Sequence, residues 1–457
     1  MKILLFEYFT ASNINDPTLI SEAKAMIDSL LAELKDLKDI HQFYLVISKE
    51  FISIAEENDY VIPICIENNL KLWLEENVSD FDGVMFIAGE DNNNLYELTK
   101  IVEKNKVKLF GSSSNGVLIS SNKYKTYQIL KNKVKQAKTV YLDINNDINT
   151  EINNDINTEI NNDINNDINN DINWENAEKT ILNFFNEINS KNKYKLIVKP
   201  LFGVDCQDIS LITNEEDIFQ LKNKYKDYSN LLVQEFISGQ DVSVSLISNG
   251  QIAIPISLNK QNINLSNNTN CNANANCNAN CNTNCNTNCN TNGNTNGNAE
   301  NIVDSIANDD IKCNTKNNQG YLGGEIPFKH SLEKKAFEVS KIAVESIKGL
   351  RGFVGVDLIL DEINNEVYLI EINSRFTSSY VGLSKISNIN IGKTIIDILN
   401  DKIDKDNNFD KDNNFDKDNT FDKDYKIDLN SLSFKFSKKV KFIKDGEDLK
   451  IDFENLK

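Results

Sequence analysis

The sequence predicts an α/β fold at its start and an α+β fold, rich in antiparallel strands, further on. Three observations carry that expectation. The first 120 residues alternate short apolar runs with stretches of helical apolar spacing, the order that lays helices over the faces of a parallel sheet. Farther along, "FVGVDLIL" (353–360) and "VYLIEINSRF" (367–376) read as two strands of a hairpin joined through Asp361 to Asn365. Three low-complexity tracts, 143–173, 261–318 and 402–424, lack the apolar density that offsets the entropy of ordering. They leave about 345 residues for structured units.

The opening "MKILLFEYF" is expected to form a buried strand rather than a leader, because Glu7 interrupts an apolar run too short for a signal peptide. A helix follows, with Ile20, Ala23, Ile27, Leu30, Leu31 and Leu34 at helical spacing. Then come the strands "FYLVIS", "YVIPICI", "GVMFIA" and "VKLFGSS". Their carboxyl ends, where ligands gather in parallel sheets, carry Glu7, Glu90 with Asp91, and Ser112 to Ser114. This first unit spans 1–120. A second, 121–238, opens with Ser121 as the expected N-cap of a helix bearing Lys123, Tyr124 and Tyr127. It continues with a helix near 175–188 and the strand "YKLIVKP". The third, 239–401, holds strands, a helix over 332–348 ended by Gly349, and the hairpin. Residues 425–457 add C-terminal strands beyond the last tract.

Charge and composition exclude several function classes. The formal charge is −19, from 49 basic and 68 acidic residues, and no basic stripe exists to neutralise phosphates, so nucleic acid is not an expected partner. No stretch approaches the ~18–20 apolar residues of a membrane span, and a cytoplasmic location is expected. Five of the eight cysteines lie at 271, 277, 281, 285 and 289. Their C-x3-C spacing resembles a metal motif, but a repeating polar tract offers no scaffold to hold tetrahedral ligands, and repeat expansion is the reading adopted. Neither histidine, His41 or His330, belongs to a nucleophilic triad. Nothing in the sequence sets an oligomeric state.

The chemistry concentrates in the hairpin. Glu371, Asn373 and Arg375 fall at alternate positions and therefore on one strand face. Pairing Leu360 with Glu366 across the connection sets Asp357 opposite Leu369, on that same face. Two carboxylates and an amide oxygen suit Mg²⁺ or Mn²⁺, which complete their shells with substrate phosphate. The guanidinium adds a planar fork for phosphate or carboxylate. The plainer reading, a solvated polar strand face, is outweighed by the surroundings. Lys199 ends the strand "KLIVKP", Lys123 lies at a helix start, and "QEFISGQD" (234–241) joins a strand, a glycine bend and an acid.

Taken in order, Lys123, Lys199, Gln234 through Asp241, Asp357 and Glu371-x-Asn373-x-Arg375 resemble the ATP-grasp ligases, of which D-alanine–D-alanine ligase is an example. The resemblance covers about residues 120–400 apart from the inserts and implies an ATP-grasp fold behind an N-terminal pre-ATP-grasp domain. "FEYFTAS", "GSSSNGVLISSNKYKTY", "SVSLI", "ISLNKQ", "GYLGGEIPFKH" and "GFVGVDLIL" are similar to the branch that joins tyramine to L-glutamate in methanofuran synthesis. That resemblance implies ATP and two Mg²⁺ or Mn²⁺ ions, with Lys123 and Lys199 on the α- and β-phosphates. It implies Gln234 and the backbone of Glu235 and Ile237 at the adenine, and Asp241 at the ribose. Asp357, Glu371 and Asn373 would hold the metals, and Lys260 and Arg375 would face the γ-phosphate and acyl phosphate. Glu7, Thr10, Tyr321 and Ser378 are candidate substrate contacts. The chain departs from the family pattern at Asn122, at Ser374, and in the short "FGVDCQD" where a glycine-rich loop is expected. The alternatives are a ligase of the same fold acting on another amine, and a nucleotide-binding scaffold without turnover.

Overall fold

The computed structural model describes residues 1–16, 19–67, 69–144, 171–189, 195–203, 208–264, 320–400, 429–445 and 448–456. The cysteines at 271–289, most of the three tracts and residues 204–207 of "FGVDCQD" lie outside the described residues. The three sheets described below fall in one compact unit, Met1–Leu265 with Gln319–Lys457.

The first five strands are β1 (Lys2–Glu7), β2 (Gln42–Ser48), β3 (Val61–Ile66), β4 (Gly83–Ile87) and β5 (Lys108–Leu109). They form a parallel sheet in the order β3-β2-β1-β4-β5. Central β1 is apolar on both faces because both are covered. Ile3 and Leu5 pack with Ile27, Leu30, Leu31 and Leu34 of the Ile20–Leu34 helix. Leu4 and Phe6 pack with Leu70 and Leu74 of the Leu70–Asn77 helix and with Leu95, Leu98 and Val102 of the Asn94–Lys104 helix.

A four-stranded antiparallel sheet follows, from β6 (Thr139–Asp143), β7 (Leu196–Pro200), β8 (Ser210–Ile212) and β9 (Asn230–Glu235), in the order β6-β9-β7-β8. Leu196, Val198 and Val233 turn toward the Asp171–Asn189 and Glu215–Lys224 helices. Alternation therefore sets Lys199 and Gln234 on the opposite face. Asn122, not Ser121, caps the Lys123–Leu130 helix: its side chain accepts from the Lys125 backbone N–H at 2.9 Å, while Ser121 ends the preceding Ser114–Ser121 helix.

The seven-stranded sheet contains β10 (Gln240–Asn249), β11 (Ala253–Asn264), β12 (Gly320–Ile326), β13 (Arg351–Asp361), β14 (Glu366–Asn373), β15 (Lys438–Asp445) and β16 (Asp448–Asn455), in the order β14-β13-β10-β11-β12-β15-β16. β9 and β10 thus lie in different sheets. The C-terminal strands join the large sheet through β12, and β11 runs to Asn264, into the tract begun at 261. The helix between β12 and β13 is Glu333–Glu345, shorter than expected, and Gly349 beyond it takes a positive φ of 97°. Its Ala336, Ala343 and Val344 cover Val242, Val244, Leu246, Val354, Val356 and Leu358.

The hairpin register differs from the expected one. Leu360 pairs with Val367, Leu358 with Leu369, and Asp357 with Glu371, with a β-bulge at Ile370. The extra residue resets the pleat. Val367 and Leu369 point into the core before it and Ile372 after it, so Glu371 falls on the face of Asp357. Had the alternation run unbroken, Glu371 would share the face of the buried Leu369. The strand also ends at Asn373, before Arg375. The Ser374 N–H is directed to Glu90 Oε1 at 3.4 Å instead of a ladder partner.

Candidate active site

The face of the large sheet turned away from the Glu333–Glu345 helix carries two polar rows. One runs Glu371, Asp357, Ser243, Asn259 across β14, β13, β10 and β11. The next runs Asn373, Gly355, Ser245, Ser257. Most of both rows line one cavity, whose other walls include Glu7, Ala88 and Gly89 from the carboxyl ends of the parallel strands. The strand-end rule thus locates part of the site, and the sheet that meets it supplies the rest.

Asp357 lies at the centre. Its Oδ1 accepts from Gln261 Nε2 at 3.0 Å and its Oδ2 from Asn373 Nδ2 at 2.9 Å. Burial, and then the charge of Glu371, pushes its carboxyl up to about 7. Glu371 Oε2 lies 3.6 Å from Lys123 Nζ, which also donates to the Gly203 carbonyl at 2.6 Å. Arg375 lines the cavity although it follows the strand, and its Nη1 donates to the Phe376 carbonyl at 3.2 Å. Beside it, burial raises the carboxyl of Glu90, which the Arg375 charge partly opposes. Lys260 also lines the cavity, with its ammonium 5.8 Å from the centre of the Phe328 ring.

The structure therefore brings together Lys260, Asp357, Glu371, Asn373 and Arg375, with Lys123 touching Glu371. Lys123, Lys199, Gln234, Glu235, Ile237 and Asp241, expected at the nucleotide, are not among the cavity's lining. Lys199 is buried on β7, and Gln234, on the same sheet face, donates to Thr139 Oγ1 at 2.8 Å. The Glu235 backbone N–H is taken by the Lys138 carbonyl at 2.9 Å. Ile237 is buried in the connection to β10, and burial raises the carboxyl of Asp241 on β10 itself. Glu7, Tyr321 and Ser378 line the cavity. Thr10 instead donates from its backbone N–H to Glu7 Oε2 at 2.8 Å. Ser112 and Ser113 serve packing: Ser112 Oγ donates to the Arg351 carbonyl, and Ser113 caps the Ser114–Ser121 helix. His330 pairs with exposed Glu362 at 2.6 Å.

Gln261 is a cavity residue that motif reading passed over, although it adjoins Lys260 in "LNKQ". Its signal is the i, i+2 spacing from Asn259, which sets both on the cavity face. Among the described residues no group of three or more His, Cys, Asp or Glu is gathered to hold a metal. The two facing carboxylates, Asp357 and Glu371, nevertheless supply oxygen donors that fit a hard divalent cation, with the amides of Asn373 and Gln261 donating to Asp357. A cation between Asp357 and Glu371 would also offset the burial, and then the repulsion, that raise the Asp357 carboxyl.

Residues 179–379 match the ATP-grasp domain family. The chain is 27% identical to the tyramine–L-glutamate ligase of Methanocaldococcus fervens over 387 residues, 83% of this chain and 89% of that protein. An ATP-grasp superfamily protein from Archaeoglobus fulgidus has a similar crystal structure, with a TM-score of 0.54 at 18% identity over the whole of both chains. The biotin carboxylase domain of the Hydrogenobacter thermophilus 2-oxoglutarate carboxylase, solved with MgADP, has a TM-score of 0.55 at 14% identity over 88% of this chain and 70% of that one. In the match of residues 179–379 and in its fold, the chain is similar to the ATP-grasp proteins.

Proposed function

We propose that the protein is an ATP-dependent carboxylate–amine ligase that forms a γ-glutamyl amide from L-glutamate and tyramine, as in methanofuran synthesis. One observation carries the reading: a single cavity holds two facing carboxylates, Asp357 and Glu371, with Asn373, Lys260 and Arg375. This set suits a phosphoryl group in transit, where positioning and electrostatics supply most of the catalysis. The M. fervens relative, similar over most of both chains, supports the two substrates.

In this reading a carboxylate oxygen of glutamate takes the γ-phosphoryl group of ATP, releasing ADP. The amine nitrogen then forms the C–N bond, phosphate departs with that oxygen, and the amine proton is released. Two Mg²⁺ or Mn²⁺ ions, when bound, would offset the charge on the transferred group. Asp357, Glu371 and Asn373 would hold them, with Gln261 fixing the Asp357 carboxylate. Lys123 and Lys199 would neutralise the α- and β-phosphates. Gln234, with the backbone of Glu235 and Ile237, would take the adenine, and Asp241 the ribose. Arg375 and Lys260 would orient the acyl phosphate.

The test is ADP release by the purified protein with each substrate omitted in turn, and the product mass recorded. ADP that requires both substrates, with a mass equal to the two joined less water, establishes the reaction. Release that needs glutamate but is indifferent to tyramine moves the assignment to another amine. No release in any combination refutes the ligase reading.

A further inference from the structure

Phosphoryl transfer leaves one part of the cavity wall unused. There the Ile20–Leu34 helix presents Ala23 and Met26, with Leu19 just ahead of it. Positions 19, 22, 23 and 26 recur at i, i+3, i+4 and i+7, one helix face. Ile263 and Tyr321, opposite one another on β11 and β12, and Ile326 add apolar wall. One carboxylate interrupts this lining. Glu22 accepts from Ser378 Oγ and lies 3.9 Å from Lys444 Nζ. Ser378 is three residues beyond Arg375, so the backbones of the two lie at most about 10 Å apart.

We propose that this region is the slot for the ring of an arylalkylamine, with Glu22 accepting a hydrogen bond from a ring hydroxyl. The inference rests on the ligase reading and deepens it. The amine nitrogen must reach the acyl carbon near Arg375, while the ring needs a dry, apolar wall of the kind Ala23, Met26 and Tyr321 form. Methionine and aromatic side chains make favourable contacts with a ring. A carboxylate is a strong acceptor for a phenolic O–H. Ser378 and Lys444 hold Glu22 in place at the slot.

The experiment compares amines on the full chain, with glutamyl hydroxamate formed from hydroxylamine as the reference, because hydroxylamine has no ring. In Ala23→Phe, which fills the slot, the ratio of kcat/KM for tyramine to that for hydroxylamine should fall at least about tenfold. In Met26→Ala, which enlarges it, the ratio for tryptamine to tyramine should rise about fivefold or more. The unaltered protein should prefer tyramine to 2-phenylethylamine by about tenfold or more, and equal use of the two would overturn the role of Glu22. Ratios in both variants within about twofold of the unaltered protein would overturn the slot. Should Ala23→Phe yield no hydroxamate, the Met26→Ala ratio decides alone. Absence of glutamate-dependent hydroxamate from the unaltered protein would instead remove the ligase reading, and the slot with it.

Discussion

Replacing Glu33 by alanine should destabilise the protein by about 3–4 kcal/mol. Glu33 lies near the end of the helix that brings Ala23 and Met26 to the cavity, and it is buried. Its Oε2 accepts from the Tyr380 hydroxyl at 2.6 Å and from the Gly392 N–H at 2.8 Å, and its Oε1 accepts from the Ile391 N–H at 2.9 Å. The last two donors open the Ile391–Asn400 helix, so a side chain far away in sequence caps it. Bonds to a charged acceptor contribute about 1.5–3 kcal/mol each, a gross of roughly 4.5–9 for the three. Burial offsets part of that gain, and the carboxyl is accordingly raised above its ordinary value. The remainder is the figure given, typical of removing one partner from a buried charged contact. Urea denaturation checks it through the midpoint at constant slope. Tyr380→Phe, which leaves both N–H bonds in place, should cost only about 1–2 kcal/mol. A loss below about 1 kcal/mol for Glu33→Ala would refute the reasoning, because three orphaned buried donors could not be that inexpensive.

Other outcomes follow from the same geometry. Glu371→Gln should lower glutamate-dependent ADP release at least about 100-fold while shifting the urea midpoint by less than about 1 kcal/mol in stability. Gln261→Ala should weaken the apparent Mg²⁺ affinity about 10-fold or more, read as a raised half-saturating metal concentration. Burial pushes the Glu7 carboxyl up to about 6 from 4.5, so its contribution is fully present below about 4.5 and lost as pH rises through about 6. Between pH 4 and 7, the unfolding free energy should therefore fall relative to Glu7→Gln by about 2 kcal/mol, read by urea denaturation. A methyl at Gly239 would lie 2.4 Å from the Leu360 carbonyl oxygen, so Gly239→Ala should cost about 1–3 kcal/mol by thermal denaturation.

The parallel sheet was legible because its strands are continuous apolar runs, and the Ile20–Leu34 helix because its apolar stripe has period 3.6. Asp357, Glu371 and Asn373 were legible by type as candidate hard ligands on one strand face. The pairing register was not, since a bulge at Ile370 depends on what two strands pack against rather than on any residue's own preference. Arg375 reads as a strand residue by alternation, yet the contact of Ser374 with Glu90, 284 positions away, diverts the chain first. Gln261 escaped notice because glutamine carries no formal charge, and its role appears only when a strand neighbour holds a buried acid. The capping roles of Glu33 and Asn122 differ for the same reason. Asn122 bonds three residues along and is readable locally, whereas Glu33 bonds to residues more than 340 positions on.

The bulge at Ile370 also sets where this chain can change length. Its connections have absorbed tracts of dozens of residues between strands of a single sheet, as between β11 and β12, and closing a longer loop adds little free energy. One codon added or lost between Leu369 and Glu371 is a different event. It would rotate Glu371 and everything after it by half a pleat, turning that carboxylate into the core and Ile372 out of it. Among homologues, gaps should therefore be frequent at the loop tracts and absent at this point. A frame-preserving deletion scan of the gene, scored for survival of the fold, should find Ile370 among the least dispensable residues.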